Sequence, residues 1–248
     1  MQLALITGGA VRIGRTIALR LAEAGYAIAI QFNRSRDEAA ALAAEITGAG
    51  GKAACFGASL QNHEEVAALV PRVGEAMGPL ACLVNNASHF ADDRLPALPP
   101  ESWREHMAVN LEAPVFLSQA FAAQLPPGER GNILNIIDQR VLRPNPHFFS
   151  YTLSKSALWA ATRTMAQALA PSIRVNAIGP GPALRSVYQS ETAFEKECRA
   201  MPLGQGTTPD EIADAVLFVL RSPSMTGQMI ALDGGQHLLW QTPDIRSK

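Results

Sequence analysis

The chain of 248 residues has few cysteines, no surplus of charge and no long apolar run, and each absence excludes a class of function. Its three cysteines, Cys55, Cys82 and Cys198, lie far apart and form no CxxC. Neither a disulfide framework nor a thiolate metal site is expected, and small core residues in a reducing compartment is the simpler reading. Lys and Arg number 21 against 22 Asp and Glu, a formal net charge of −1. That balance leaves no electrostatic footprint for nucleic acid or an anionic membrane. No segment approaches the roughly 20 apolar residues needed to span a bilayer. The apolar stretch Leu3 to Ile6 is too short for a signal sequence and follows no basic segment. A cytoplasmic protein that handles small molecules, with no metal, nucleic-acid or membrane partner, is the expectation.

What is present is a regular alternation. Short apolar runs at 3–7, 27–32, 53–56, 81–85, 132–137, 173–178 and 229–232 read as buried strands. Amphipathic segments at 15–24, 37–47, 63–77, 100–124, 150–169 and 210–221 read as helices. Strands separated by helices of this length predict βαβ units. The expected fold is therefore α/β, a Rossmann-like doubly wound parallel sheet of about seven strands with helices on both faces. A single domain over 1–248 is expected. The irregular stretch 182–208, after Gly179-Pro180-Gly181-Pro182, is expected to form a substrate lid.

The first strand runs into Thr7-Gly8-Gly9-Ala10-Val11-Arg12-Ile13-Gly14 and then a helix. In a doubly wound fold such a turn leaves backbone N–H groups and a helix N-terminus facing the sheet edge, a ready pyrophosphate site. The spacing is not GxGxxG, and a glycine turn alone is compatible with no ligand at all. The second strand ends on Gln31-Phe32-Asn33-Arg34-Ser35, with no acid to hold a ribose 2′-hydroxyl. Arg34 and Ser35 instead suit a 2′-phosphate, the arginine by charge-assisted bonds. Together the two segments point to NADP(H).

The fifth strand, ending Ile136-Ile137, is followed at once by Asp138, and Tyr151 and Lys155 come later. Tyr151 and Lys155 stand at i and i+4 and share a helix face. A free tyrosine titrates near pH 10, too high for efficient proton transfer at neutral pH. An ammonium one turn away, with an oxidised nicotinamide, is expected to lower that pKa.

With these residues in order, the chain resembles the short-chain dehydrogenase/reductase family over essentially its whole length. The resemblance is carried by the 7–14 turn, Asn85-Asn86-Ala87, Asn110, Tyr151 with Lys155, Pro180-Gly181, and Asp233-Gly234-Gly235. It implies Tyr151 as proton donor and Lys155 as its pKa modulator and ribose ligand. Asn110 is implied to hold a water that links the lysine to solvent. The implied cofactor site takes in Thr7, Gly8, Arg12, Ile13, Gly14, Asn33, Arg34, Ser35, Ser59, Leu60, Asn86, Ala87, Ser88, Tyr151, Lys155, Pro180 and Gly181. Ser59 stands where the family commonly has an aspartate that contacts adenine.

Two departures narrow the resemblance. The family usually has glycine at Arg12, and serine or threonine at Asp138, where a hydroxyl helps hold a substrate carbonyl oxygen. An ionised aspartate repels an alkoxide forming there. Both departures, with Arg34-Ser35 and Asn86-Ala87-Ser88, resemble the pteridine reductases and related dihydromonapterin reductases. That subgroup implies Phe90 as an aromatic stacking on the pterin. Arg12, Ser88, Phe90, Asp138 and Tyr151 then form the implied substrate site, with Asp138, Tyr151, Lys155 and Asn110 catalytic. Reduction of a pterin adds hydride to a ring carbon and a proton to the neighbouring nitrogen, so no oxyanion needs stabilising. The resulting expectation is an NADPH-dependent reductase of a dihydropterin, an oxidised pterin or folate, assembled as a tetramer or dimer. A reductase of non-pterin carbonyl compounds and a non-catalytic NADP(H) sensor are the alternatives.

Overall fold

The computed structural model describes residues 1–186 and 188–240. Val187, inside the expected lid, and 241–248, at the end of the expected domain, lie outside the described residues. Strands β1 (Leu3–Ile6), β2 (Ala27–Phe32), β3 (Ala53–Gly57), β4 (Cys82–Asn85), β5 (Gly131–Ile136), β6 (Ile173–Pro180) and β7 (Met229–Leu232) form one sheet. Their order is β3-β2-β1-β4-β5-β6-β7, and every neighbouring pair is parallel. This is the expected Rossmann-like doubly wound sheet.

The two-residue period of the strands explains why both faces are covered. Ala4, Ile6, Ile28 and Ile30 point to one side, where α1 (Arg12–Glu23), α2 (Arg36–Gly48) and α8 (Pro209–Leu220) pack. Leu3, Leu5, Ala27 and Ala29 point to the other, under α3 (His63–Met77), α5 (Ala113–Gln124) and α6 (Phe149–Leu169). Each Ile or Leu fully buried in these layers contributes roughly 1.5–3 kcal/mol. Helix starts are marked by side-chain caps: Asn62 accepts from the N–H groups of Glu64 and Glu65, and Thr208 with Glu211 forms a capping box. All three cysteines are free thiols, and burial pushes Cys82 up to about 12.

Three local features differ from the sequence reading. The expected helix over 100–124 is α4 (Pro100–Met107) and α5 joined by a π-helical turn, Ala108–Glu112, in which the Ala113 N–H reaches back five residues to the Ala108 carbonyl. The expected irregular stretch 182–208 contains a further helix, α7 (Glu191–Arg199), capped by Ser190. It is nine residues long, and apart from Ala193, Phe194 and Cys198 it is polar, too short a pattern for a sequence reading to find. Finally, β6 runs through Gly179 and Pro180, and the break falls at Gly181, where a Cβ would lie 2.7 Å from the Asp233 backbone.

Candidate active site

The chain leaves β1 toward β2 on one side and crosses to β4 on the other, so the strand order reverses between β1 and β4. In such sheets ligands bind at the carboxyl ends of the strands at this switch point. Two cavities meet there. A cleft of about 740 Å³ runs over the glycine turn past Arg34 and Ser35. A second cavity of about 720 Å³ is lined by Asp138, Tyr151, Lys155, Phe90, Pro180 and Gly181. Arg12, Ile13, Asn86 and Ser88 line both.

The cleft has the form a dinucleotide needs. Gly8 has φ +59, and a Cβ on Gly14 would lie 2.2 Å from the Gly8 carbonyl oxygen, so only glycine lets α1 start this close to the turn. Gln31, buried at the end of β2, accepts from the Gly8 N–H at 2.8 Å and donates to the Ala58 carbonyl at 2.7 Å, fixing the turn's height. Arg34 is exposed and makes no ion pair among the described residues, and no acid of β2 lines the cleft. These residues fit a 2′-phosphorylated dinucleotide.

Not every expected cofactor residue faces the cleft. Gly8, Arg12, Ile13, Gly14, Asn33, Arg34, Ser35, Leu60, Asn86, Ala87 and Ser88 line it, whereas Ser59 does not. Thr7 is buried, and its hydroxyl oxygen accepts from the Asn86 and Ala87 N–H groups at 2.9 and 3.0 Å. It pins the loop after β4 rather than offering its side chain to a ligand. Asn86 Nδ2 in turn donates to the Thr7 and Gly8 carbonyls, at 2.9 and 3.2 Å.

Asp138 lies just beyond β5 and caps a short 3₁₀ turn, its Oδ1 accepting from the Arg140 N–H at 2.8 Å. Its Oδ2 accepts from the Tyr151 hydroxyl, also at 2.8 Å. The structure therefore joins the strand end and the helix face in one proton-sharing pair. Burial raises the Asp138 pKa above its usual 3.8, against the lowering pull of the Arg140 N–H and guanidinium. Burial, then the charge of Asp138, pushes Tyr151 well above 10. The Lys155 ammonium donates to the Ile136 carbonyl at 2.8 Å, and its own pKa is pressed by burial to about 8. Tyr151 is thus held as the neutral phenol, the form from which a proton is given.

Asn110 sits in the π-helical turn, fully buried. Its Oδ1 accepts from the His89 N–H (2.7 Å) and the Ser88 hydroxyl (3.2 Å), and its Nδ2 donates to the His89 carbonyl (2.9 Å) and Ser154 Oγ (3.0 Å). The side chain braces the loop after β4 against α6 and makes no bond to Lys155.

Sequence reasoning missed an aromatic wall. Phe148 precedes α6 with a left-handed backbone, φ +53, and stacks on Phe90 at 4.3 Å between centroids with 10° between planes. Tyr151 meets Phe90 edge-on at 4.8 Å, and Tyr188 leans toward it at 6.3 Å. Phe90 thus stacks on Phe148 while it lines the substrate cavity. Two neighbouring acids hold this wall. Asp92 accepts from the Phe148 N–H, and the buried Asp93 accepts from the Ser150 N–H and Ser102 hydroxyl. Burial alone would raise the Asp93 carboxyl, but those bonds outweigh it and hold the pKa below 3.8. A phenylalanine at positive φ has no sequence signal; the adjacent acids Asp92 and Asp93 were the one available hint.

Comparison with known proteins agrees with this geometry. A family model described as short chain dehydrogenase matches residues 2–196. The chain is similar to two solved structures of FolM alternative dihydrofolate reductase 1, both in complex with NADP. For the Brucella canis protein the TM-score is 0.96 at 49% identity, covering 98% of this chain and 97% of that one. For the Brucella suis protein the TM-score is again 0.96 at 50% identity, covering 98% of each chain. A 3-oxoacyl-[acyl-carrier-protein] reductase from Synechocystis is 30% identical over 238 residues, 94% of this chain and 96% of the relative. By the family match, the sheet order and the Tyr151–Lys155 helix, the chain belongs to the short-chain dehydrogenase family.

Proposed function

We propose that the protein is an NADPH-dependent reductase of pterins, taking a dihydropterin or a folate as substrate. The observation that carries this reading is the Tyr151 hydroxyl bonded to Asp138 at 2.8 Å, where the family places a hydroxyl. The likeness to the Brucella alternative dihydrofolate reductases, at 49% and 50% identity, supports it. Gly8, Gly14 and the α1 N-terminus would hold the pyrophosphate of NADP(H), and Arg34 with Ser35 its 2′-phosphate. The bound nicotinamide supplies the hydride.

The protein's own groups do the rest. Phe90 offers a flat face that fixes the ring plane of the pterin. Asp138, with its raised pKa, and Tyr151, held as phenol, form a donor chain aimed at a basic ring nitrogen. As the nitrogen takes a proton from Tyr151, a solvent proton taken up by the Asp138 carboxylate passes across their shared hydrogen bond and restores the phenol. Lys155, an ammonium below about pH 8, balances the negative charge of Asp138 within the buried site. A carbonyl substrate fits poorly, because its developing oxyanion would face the Asp138 carboxylate.

The protein is expected to work in the cytoplasm as a dimer or tetramer, within one domain closed by the 182–208 segment. Steady-state NADPH oxidation with dihydrobiopterin, dihydromonapterin, dihydrofolate and simple ketones tests the reading. Turnover of a pterin at about 1–10³ s⁻¹ is expected. Turnover of ketones with none of any pterin overturns it.

A further inference from the structure

Arg12 reaches from the glycine turn to the segment that follows β6. Its Nη2 donates to the Arg185 carbonyl at 3.1 Å and to the Leu184 carbonyl at 3.4 Å, residues more than 170 positions away. Arg12 is also one of only two non-glycine residues with positive φ among the described residues, at +54. An L side chain is disfavoured there, so the surrounding structure holds Arg12 against a strain that glycine would relieve. The same residue lines both the dinucleotide cleft and the substrate cavity, and Leu184 lines the latter.

We propose that Arg12 is a positioning residue that couples phosphate binding in the cleft to the placement of the segment over the substrate cavity. The proposal rests on the reading of the cleft as an NADP(H) site. A guanidinium carries five donors in a rigid planar fork. One nitrogen holds the two carbonyls, and the others remain for the oxygens of a pyrophosphate at the start of α1. Bound phosphate then fixes the guanidinium, and the fixed guanidinium fixes Leu184 and Arg185. The wall of the substrate cavity is set by the cofactor before a substrate arrives. Binding at the two cavities is thereby linked, and the link is reciprocal.

Arg185 is exposed, so trypsin cleavage after it reports how often this segment opens. Losing two partly exposed charge-assisted bonds should speed cleavage of cofactor-free Arg12→Gly by about fivefold to tenfold over wild type. Saturating NADP⁺ should slow cleavage of wild type by about tenfold and leave Arg12→Gly within about twofold of its cofactor-free rate. The Tm of Arg12→Gly should stay level or rise by up to about 4 °C, because relief of the left-handed strain offsets the lost bonds. Its KM for a pterin should rise by more than its kcat falls. Arg12→Lys keeps the charge without the fork; it should recover NADP⁺ affinity but not the protection.

Equal cleavage of wild type and Arg12→Gly without cofactor overturns the tie. Equal NADP⁺ protection of the two overturns the coupling, and full protection in Arg12→Lys overturns the role of the fork. The cleavage arms need no pterin, so failure of the pterin reading is distinguishable. A protein inactive on every pterin that still gains protection through Arg12 would keep this coupling and lose that reading.

Discussion

Replacing Asp138 with asparagine isolates the charge and the proton from the shape. Asparagine keeps an oxygen for the Arg140 N–H, the 2.8 Å bond that caps the 3₁₀ turn, so the local backbone should hold. The other arm then presents an amide N–H₂ to the Tyr151 hydroxyl, which must accept where it now donates at 2.8 Å. The donor chain is reversed and its acid removed. General acid catalysis contributes about 10²–10⁴-fold, so kcat on a dihydropterin should fall by that factor, roughly 2.7–5.5 kcal/mol of barrier. Asp138 does not line the dinucleotide cleft, so the NADPH dissociation constant, read by fluorescence, should move less than about threefold. Stability should change in the opposite sense to activity. Burial raises the Asp138 pKa above its unfolded value, so the ionised carboxylate weakens the fold above that pKa and not below about 3.8. Asp138→Asn should therefore raise Tm by about 2–4 °C at pH 8, with the gain shrinking as pH falls toward about 4. Pterin turnover within about threefold of wild type would refute the proton role. Parallel loss of turnover and NADPH binding would show that the residue only shapes the site.

Further outcomes follow from the same geometry. Arg34→Ala should raise the KM for NADPH about 10–100-fold and leave that for NADH nearly unchanged, since one charge-assisted contact contributes about 1.5–3 kcal/mol; steady-state titration of both cofactors checks it. Gly14→Ala would set a Cβ 2.2 Å from the Gly8 carbonyl oxygen, so Tm and NADPH affinity should fall together. Burial presses Lys155 from 10.5 to about 8, so its charge is lost as pH rises through about 8 and a pH–rate profile should show pterin turnover declining there. The unfolded lysine binds more protons than the folded one between those values, so this group adds stability as pH rises from about 8 to 10.5; Lys155→Met should abolish that rise in Tm.

The sheet was legible because parallel strands buried on both faces read as apolar runs, and β1 to β7 fall within a few residues of those runs. Arg34, Asp138, Tyr151 and Lys155 could be placed because strand ends and an i, i+4 pair put them near the switch point. Other features depend on contacts that sequence spacing does not carry. The π-helical turn at Asn110 changes hydrogen-bond register inside a helix without interrupting its apolar pattern. Helix α7 has no buried stripe, and Phe148 takes a backbone conformation its residue type does not announce. The rise in the Tyr151 pKa comes from burial and a neighbour thirteen positions away, which residue spacing does not announce. Arg12 was legible as a departure from glycine; its grip on Leu184 and Arg185 required the tertiary structure.

We propose that the aspartate bonded to the Tyr151 hydroxyl selects a ring nitrogen over a carbonyl oxygen as proton acceptor. The most direct test is the ratio of kcat/KM for dihydromonapterin to that for a 3-oxoacyl thioester, measured by NADPH consumption on the same preparation. A ratio above about 10² is expected, the size of one general-acid contribution. A ratio below one, with the thioester turned over freely past an intact Asp138, would contradict it.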